Sequence, residues 1–171
     1  MKEISLYGKY GKGKVAKIDD EYFDIVTNHR WHVDRCGYAR CHEYKSVNAN
    51  RPVILMHRLI LGEEILKDKY VDHINGDKLD NRRANLRVCT NQQNMCNRGK
   101  YKRKNKSIMA SKYKGVRKYG NNNKWVARIS INGKPVHIGV YNTEEEAALA
   151  YNHFAKELQG EFAKLNELVQ K

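Results

Sequence analysis

The stretch VDHINGDKLDNRRANLRVCTNQQN, residues 71–94, decides the fold in the middle of the chain. Its pattern predicts a strand over Tyr70 to Ile74, a polar loop, a second strand over Leu86 to Cys89 and then a helix. Thr90 and Gln93 have the Thr-x-x-Gln spacing of a capping box, so the helix is predicted to begin at Thr90. The stretch should therefore form a small unit of two strands and one helix.

Three side chains of this stretch suit the hydrolysis of a phosphodiester. Asp72 and His73 are adjacent at the end of the first predicted strand, and alternation directs them to different sides, from which they can approach one site. Asn94 lies in the first turns of the predicted helix, and Asp and Asn oxygens suit a hard cation. One histidine and one bound Mg²⁺ supply an activated water and stabilise charge on the phosphate and on the leaving 3′ oxygen.

The same stretch resembles the HNH endonucleases, especially the phage and intron-associated homing enzymes whose last motif residue is Asn. This resemblance implies a ββα-metal, or His-Me finger, fold for a nuclease domain over residues 1–97. It implies that Asp72 is a metal ligand, that His73 is the general base, and that Asn94 is the second metal ligand. Asn85 is implied to orient the His73 ring through backbone or side-chain contacts.

The family also carries a His-Arg-Leu segment upstream, and MHRLILG at residues 56–62 matches it. His57 is therefore expected in the surroundings of the site, with a hydrogen-bonded histidine at a strand end as the alternative. Arg82, Arg83 and Arg87 are expected to contact phosphate or to remain solvated.

The charge of the chain predicts a polyanionic partner. Among 171 residues, Lys and Arg outnumber Asp and Glu by 33 to 19, which gives a net charge of +14. Nucleic acid is favoured over an anionic membrane, because the most apolar stretch, Val53 to Leu61, is broken by His57 and Arg58 and is too short to span a bilayer. The first residues have no apolar segment typical of a secretory signal, so a cytoplasmic protein is expected.

The four cysteines, at positions 36, 41, 89 and 96, are expected to be thiols in such a compartment. Their spacings, Cys-x4-Cys and Cys-x6-Cys, contain no Cys-x-x-Cys knuckle, although His32 and His42 lie near the first pair. A structural zinc is disfavoured against buried or idle thiols.

The remaining sequence predicts a β-rich start, a linker and a second small domain. Residues 1–55 contain short β-like stretches at Val15 to Ile18, Trp31 to Val33 and Val53 to His57. Residues 98–111 form a basic linker, in which Lys102, Arg103 and Lys104 are candidate DNA contacts. After it, residues 112–171 are expected to hold three strands and one helix. The strands are predicted at Tyr113 to Tyr119, Lys124 to Ile131 and Pro135 to Tyr141, with a tight hairpin turn at Asn132-Gly133 between the last two. The helix is predicted at Glu144 to Leu158, where Thr143 and Glu146 have capping-box spacing. Its apolar stripe is Ala147, Ala150, Tyr151, Phe154 and Leu158.

This last segment resembles the AP2 DNA-binding domain at Gly-Val-Arg (115–117), Lys-Trp-Val-Ala (124–127), Ile-Gly-Val-Tyr (138–141) and Glu-Glu-Ala-Ala-Leu-Ala-Tyr (145–151). The resemblance implies three antiparallel strands that pack on one helix and lie in the DNA major groove. Alternation predicts that Trp125 faces the helix, and that the outward, DNA-facing set is Arg117, Tyr119, Arg128, Ser130 and His137. Two departures from the plant pattern, at Tyr119 and in the Asn run 121–123, mean that the plant target sequence is not assumed.

Together these patterns predict an α+β protein: a monomeric, Mg²⁺-dependent endonuclease, with Mn²⁺ as a substitute, encoded by a phage or mobile element. Its substrate is expected to be double-stranded DNA, nicked one strand at a time. Two alternatives stay open. One is an AP2-type regulator with an inactive HNH part, and the other is a nuclease or binding protein for RNA.

Overall fold

The computed structural model describes residues 1–42, 52–62, 67–99, 111–120 and 123–168. Its contacts divide the chain into two compact units, residues 1–91 and residues 92–171. The predicted linker contacts Lys102, Arg103 and Lys104 lie outside the described residues. No helix in the described part of the chain has the length and apolarity that crossing a membrane requires.

The first unit begins with small antiparallel sheets joined by short helices. Strands β1 (Lys2–Ser5) and β2 (Val15–Ile18) form a hairpin, which α1 (Phe23–Thr27) follows. Strands β3 (His32–Val33), β4 (Ala39–His42) and β5 (Val53–Leu55) form a three-stranded sheet in that order. The helix α2 (Met56–Leu61) follows β5 directly.

Helix α2 corrects the strand predicted over Val53 to His57. The strand ends at Leu55, and Met56, His57, Ile60 and Leu61 are buried at helical spacing. The alternative reading of His57 as a histidine at a strand end is therefore wrong. A short apolar run has no periodicity that separates a buried strand from a buried helix, which explains the error.

One apolar core joins these elements to the following strands. The fully buried side chains include Trp31, Ile18, Met56 and Val26, and the core extends to Val71 and Leu86. The indole Nε1 of Trp31 donates a hydrogen bond of 2.8 Å to the Val26 carbonyl, so the one polar atom of this ring is satisfied. The core thereby fixes the strands that carry the candidate site.

The decisive stretch folds in the predicted order of elements. Strand β6 (Tyr70–His73) pairs antiparallel with β7 (Leu86–Cys89), and a 3-10 turn at Arg83–Asn85 leads into β7. Helix α3 (Asn91–Asn97) begins just after Thr90, as the capping-box spacing predicts. All of α3 after Asn91 belongs to the second unit.

The second unit contains a three-stranded antiparallel sheet on one helix. Its strands are β8 (Val116–Lys118), β9 (Trp125–Ile131) and β10 (Lys134–Tyr141), with β9 in the centre. Asn132 and Gly133 both have positive φ, at 50° and 77°, which matches the tight hairpin turn predicted from Asn-Gly. Helix α4 (Glu144–Gln159) begins with the predicted capping box, in which the Thr143 and Glu146 side chains each accept the other's backbone N–H.

The buried face of α4 differs from the predicted stripe. Ala147, Ala148, Tyr151 and Ala155 are buried, whereas Phe154 is 38% and Leu158 is 52% exposed. Alanines allow the sheet to approach the helix closely. At Gly115, where φ is +74°, a Cβ would lie 2.1 Å from the Tyr151 ring, so the strand entry needs a glycine there. Because the helix and the sheet are so close, small residues occupy the buried face of α4, and Phe154 and Leu158 lie outside it.

Candidate functional site

His73 is the last residue of β6 and is only 4% exposed. Its ring lies 5.3 Å from the His57 ring, at 90°, and 5.9 Å from the Tyr38 ring, measured between centroids. Burial lowers the pKa of His73 below its usual value, and the hydrogen bond with Asn81 and the charge of Asp72 oppose this only in part. The ring is therefore neutral at pH 7 and able to accept a proton.

The Asn81 side chain faces His73 and sets its tautomer. Asn81 Oδ1 lies 3.4 Å from His73 Nε2, and Asn81 Nδ2 donates to the Leu79 carbonyl at 3.2 Å, which fixes which way the amide points. An amide oxygen only accepts, so this contact favours the tautomer that carries the ring proton on Nε2. Asn81 was not among the predicted site residues, although it stands in the Asp-Asn-Arg segment of the motif.

Asn85 holds the polar loop that follows His73. Its Oδ1 accepts the N–H of Asn75 at 3.0 Å, its Nδ2 donates to the Asp80 carbonyl at 2.7 Å, and its backbone carbonyl accepts the N–H of Ile74 at 2.9 Å. These bonds join both ends of the loop to the turn before β7. The contacts of Asn85 therefore reach the backbone beside His73, while the ring contact comes from Asn81.

Asp72 lies directly opposite Arg87 in the β6–β7 ladder. Asp72 Oδ2 accepts from Arg87 Nε at 2.8 Å and from Nη2 at 2.7 Å. The two side chains are only 7% and 12% exposed. Arg87 therefore holds the Asp72 carboxylate in place. From the sequence, Arg87 was expected only to contact phosphate or to remain solvated.

The predicted metal ligands are oxygen donors of the kind that Mg²⁺ prefers, an Asp carboxylate and an Asn amide. Asp72 lies in the first unit, and Asn94 is half-buried on α3 among residues of the second unit. Within the described residues, no group of three or more His, Cys, Asp and Glu side chains could hold a metal ion. A hard cation held by one or two such oxygen donors usually keeps several of its waters.

His57 lies on α2 and packs edge-on against the His73 ring. Its ring lies 5.4 Å from the Tyr38 ring, and its Nδ1 is buried without a hydrogen-bond partner among the described residues. Burial lowers the pKa of His57 to about 3, so this ring stays neutral. Lys78 closes the other side of Tyr38, with its Nζ 4.5 Å from that ring and bonded to the Cys36 carbonyl at 2.7 Å.

The other two arginines of the motif, Arg82 and Arg83, differ in their hydrogen-bond partners. Arg82 makes a bidentate pair with Asp80 through bonds of 2.7 and 2.6 Å, which lowers the pKa of Asp80. Arg83 is exposed, and its backbone N–H donates to Asp19 at 2.6 Å. The Arg83 guanidinium also donates from Nη1 to the Leu86 carbonyl at 3.2 Å.

The outward face of the second unit carries the predicted DNA-facing side chains. Arg128 and His137 are opposite each other in the ladder. Val126, which is fully buried, pairs with Arg117 on one side and Val140 on the other. Trp125 packs on the helix side with Ile138 and Tyr141, which confirms its assignment to the core. All five predicted outward residues are exposed: Arg117, Tyr119, Arg128, Ser130 and His137.

Comparisons with known proteins match both parts of the chain. The family model for the HNH endonuclease matches residues 55–96, and that for the AP2 domain matches residues 111–161. An uncharacterized HNH endonuclease of Acanthamoeba polyphaga mimivirus is 37% identical over 165 residues, which cover 96% of this chain and 81% of the viral protein. The ethylene-responsive transcription factor WRI1 of Arabidopsis thaliana is 45% identical over 58 residues, 33% of this chain and 14% of that factor. An AP2-like ethylene-responsive transcription factor of the same plant is 46% identical over 52 residues, 29% of this chain and 15% of that factor.

Proposed function

The chain belongs to the HNH endonuclease family, and from that premise we propose that it is a metal-dependent, homing-type enzyme that nicks double-stranded DNA. The observation that carries the proposal is the buried His73 ring at the end of β6, with Asn81 Oδ1 3.4 Å from its Nε2. The viral relative supports an origin in a virus or mobile element, including a phage, and we expect action in the host cytoplasm.

His73 is the general base in this proposal. Its Nε2–H donates to Asn81, so Nδ1 accepts the proton of the attacking water. The water oxygen forms a bond to phosphorus while the bond from phosphorus to the 3′ oxygen breaks. His57 and Tyr38 pack against the His73 ring and limit its rotation.

Asp72 and Asn94 are the residues that would hold the cation. Arg87 keeps Asp72 in place through Oδ2, and Asn85 keeps the loop after His73 closed. A bound Mg²⁺ or Mn²⁺ stabilises charge on the scissile phosphate and on the leaving 3′ oxygen. Asn94 is assigned on the family pattern.

The AP2 unit directs the enzyme to DNA. Its exposed Arg117 and Arg128 can each make a bidentate contact to guanine or a phosphate contact, and His137 lies beside Arg128. The basic residues Lys102, Arg103 and Lys104 would add phosphate contacts, together with Arg83. A single site on a monomer cuts one strand at each visit, so nicked circles are the expected product.

A supercoiled-plasmid assay tests the proposal. The wild type with Mg²⁺, the wild type with EDTA and His73→Ala are compared, with the exposed His153→Ala as the matched control. We expect open circles only with metal and intact His73, and a loss of about 10²–10⁴-fold in rate without the base. Absence of cutting with any divalent metal, while DNA binding persists, would instead identify an AP2-type regulator.

A further inference from the structure

A basic and aromatic cleft on the first unit lies outside the proposed active site. We name it the Tyr7 cleft; it has a volume of about 560 Å³ and is lined by Tyr7, His29, Arg30, His32 and His42, with two small polar residues. Among the described residues that line it, none has an acidic side chain. This composition suits an anion that also presents a flat or apolar surface.

Tyr7 and Arg30 form a prearranged pair at the mouth of the cleft. Tyr7 is 46% exposed, and the Arg30 guanidinium carbon lies 4.5 Å from the centre of its ring. The ring of His32 meets Tyr7 edge-on at 6.4 Å, and the N–H of Tyr7 donates to the Trp31 carbonyl at 2.9 Å. An arginine that already stacks on a ring loses less side-chain freedom when it binds a phosphate.

A glycine-rich loop places two lysines in a second cleft that Tyr7 also lines. This second cleft of about 440 Å³ is lined by Tyr7, Lys9 and Lys12. The Gly8 carbonyl accepts the N–H groups of both Gly11 and Lys12 at 3.1 Å, and a Cβ on Gly11 would lie 2.3 Å from the Tyr7 carbonyl oxygen. The loop is therefore closely packed, and it presents its two lysines beside the exposed ring.

Strand β4 leads from the His73 site to the Tyr7 cleft. Tyr38, whose ring contacts His73, immediately precedes β4; His32 pairs with Arg40, and His42 ends the strand. Two to four strand residues correspond to roughly 7–13 Å. Because a DNA strand advances about 3.4 Å per nucleotide along the axis, this span corresponds to about two to four nucleotides.

From the cation–aromatic pair, the two clefts and this spacing, we propose that the Tyr7 cleft binds the phosphodiester backbone of duplex DNA, a few nucleotides from the bond that is cut. The inference rests on the proposed function. Arg30 and Lys12 contact phosphates from the two clefts that share Tyr7, and the histidines donate to phosphate or sugar oxygens. The β-rich start of the chain is then a third DNA contact, besides the AP2 sheet and the linker.

The test measures binding of the full chain to a random-sequence DNA duplex in EDTA across a series of salt concentrations, so that no cutting intervenes. We expect Arg30→Ala to weaken binding about tenfold and to lower the slope of log K against log salt by about 1, and the double variant Lys12→Ala/Arg30→Ala to lower it by about 2. Lys2→Ala is the matched control, because Lys2 stacks on the exposed Phe23 ring outside the cleft. This control should leave the slope unchanged.

Unchanged affinity and slope in the double variant, with an unaltered unfolding temperature, would overturn the cleft as a DNA site. A duplex RNA of the same length that binds as tightly, with the same loss in Arg30→Ala, would overturn DNA as its partner. Arg30→Gln should weaken binding and lower the salt slope as Arg30→Ala does. If it does not, the proposal that the cleft binds DNA is also rejected. A plasmid assay in Mg²⁺ separates the two ideas: weakened binding by the variants without any cutting by the wild type would leave the cleft standing and refute the nuclease.

Discussion

The two units of this chain place their functional side chains in opposite environments. In the first unit, His57, Asp72, His73, Asn81 and Asn85 are all buried and are bonded or packed into one network. In the second, the side chains expected to contact DNA are exposed on one face of the sheet. The other face of the sheet packs against alanines and a tyrosine. Substitutions in the first network should therefore change stability and chemistry together, whereas those on the second face should change binding alone.

The sharpest test of this contrast is the Asp72–Arg87 pair. Arg87→Ala leaves a buried carboxylate without its bidentate partner and should lower the free energy of unfolding by about 3–5 kcal/mol. Arg128→Ala, on the exposed face, is the matched control and should change it by less than about 0.5 kcal/mol. Urea unfolding of both variants measures the difference, and equal effects would refute the contrast.

Asn81 should affect chemistry through the His73 tautomer. Asn81→Ala removes the acceptor at Nε2, so we expect kcat for cutting to fall about 10–100-fold with little change in KM. The ¹⁵N chemical shifts of the His73 ring should change from the Nε2–H tautomer to a mixture. Asn81→Asp keeps an acceptor and should restore the tautomer.

Asn75→Ala is the matched control for Asn81, since Asn75 is exposed in the same loop and bonds to Asp80 and Asn85. It should leave the His73 ring shifts unchanged. A normal tautomer in Asn81→Ala with reduced cutting would show that Asn81 acts only on the stability of the loop.

The order of elements from Tyr70 to the helix α3, and in the second unit, was predictable because its signals are local. Period-two alternation, the Asn-Gly turn and the Thr-x-x-Glu capping box each lie within a few residues, and each is found where it was predicted. The motif likewise placed Asp72 and His73 at the end of a strand.

The errors arose where distant parts of the chain decide the outcome. Asn81 is oriented by bonds from its backbone to Lys17 and from its side chain to Leu79, and Lys17 belongs to a strand more than sixty residues away. The buried face of α4 depends on how closely the sheet approaches, which selects Ala148 and Ala155 instead of the larger Phe154 and Leu158. The engagement of Arg87 by Asp72 needs the β6–β7 register, which the sequence alone does not set.

Acid should destabilise the first unit through His57. Burial lowers the pKa of His57 from its ordinary 6.5 to about 3 in the folded chain, so the unfolded chain takes up its proton first as pH falls. The stability contributed by the neutral ring is complete above pH 6.5 and is lost progressively between pH 6.5 and 3. At pH 5 the free energy of unfolding has fallen by about 2 kcal/mol.

Urea unfolding at pH 8 and pH 5 measures this effect. His57→Gln cannot titrate and should lose about 2 kcal/mol less than the wild type between the two pH values, whatever its stability at pH 8. The exposed His153→Gln should behave as the wild type does. A pH dependence unchanged in His57→Gln would show that another group controls acid unfolding.

The smallest expected effect lies in the second unit, at the start of α4. Thr143→Ala removes the side-chain acceptor for the N–H of Glu146, which should cost about 1 kcal/mol. Because this loss falls in the unit that holds DNA and not in the network around His73, we expect weaker DNA binding near the unfolding temperature, with the cutting rate at saturating DNA unchanged at 25 °C. Thr143→Ser keeps the hydroxyl and should match the wild type in both assays. A fall in the saturated cutting rate of Thr143→Ala would mean that the stability of the AP2 unit controls the chemistry at His73, and the separation of roles between the two units would then fail.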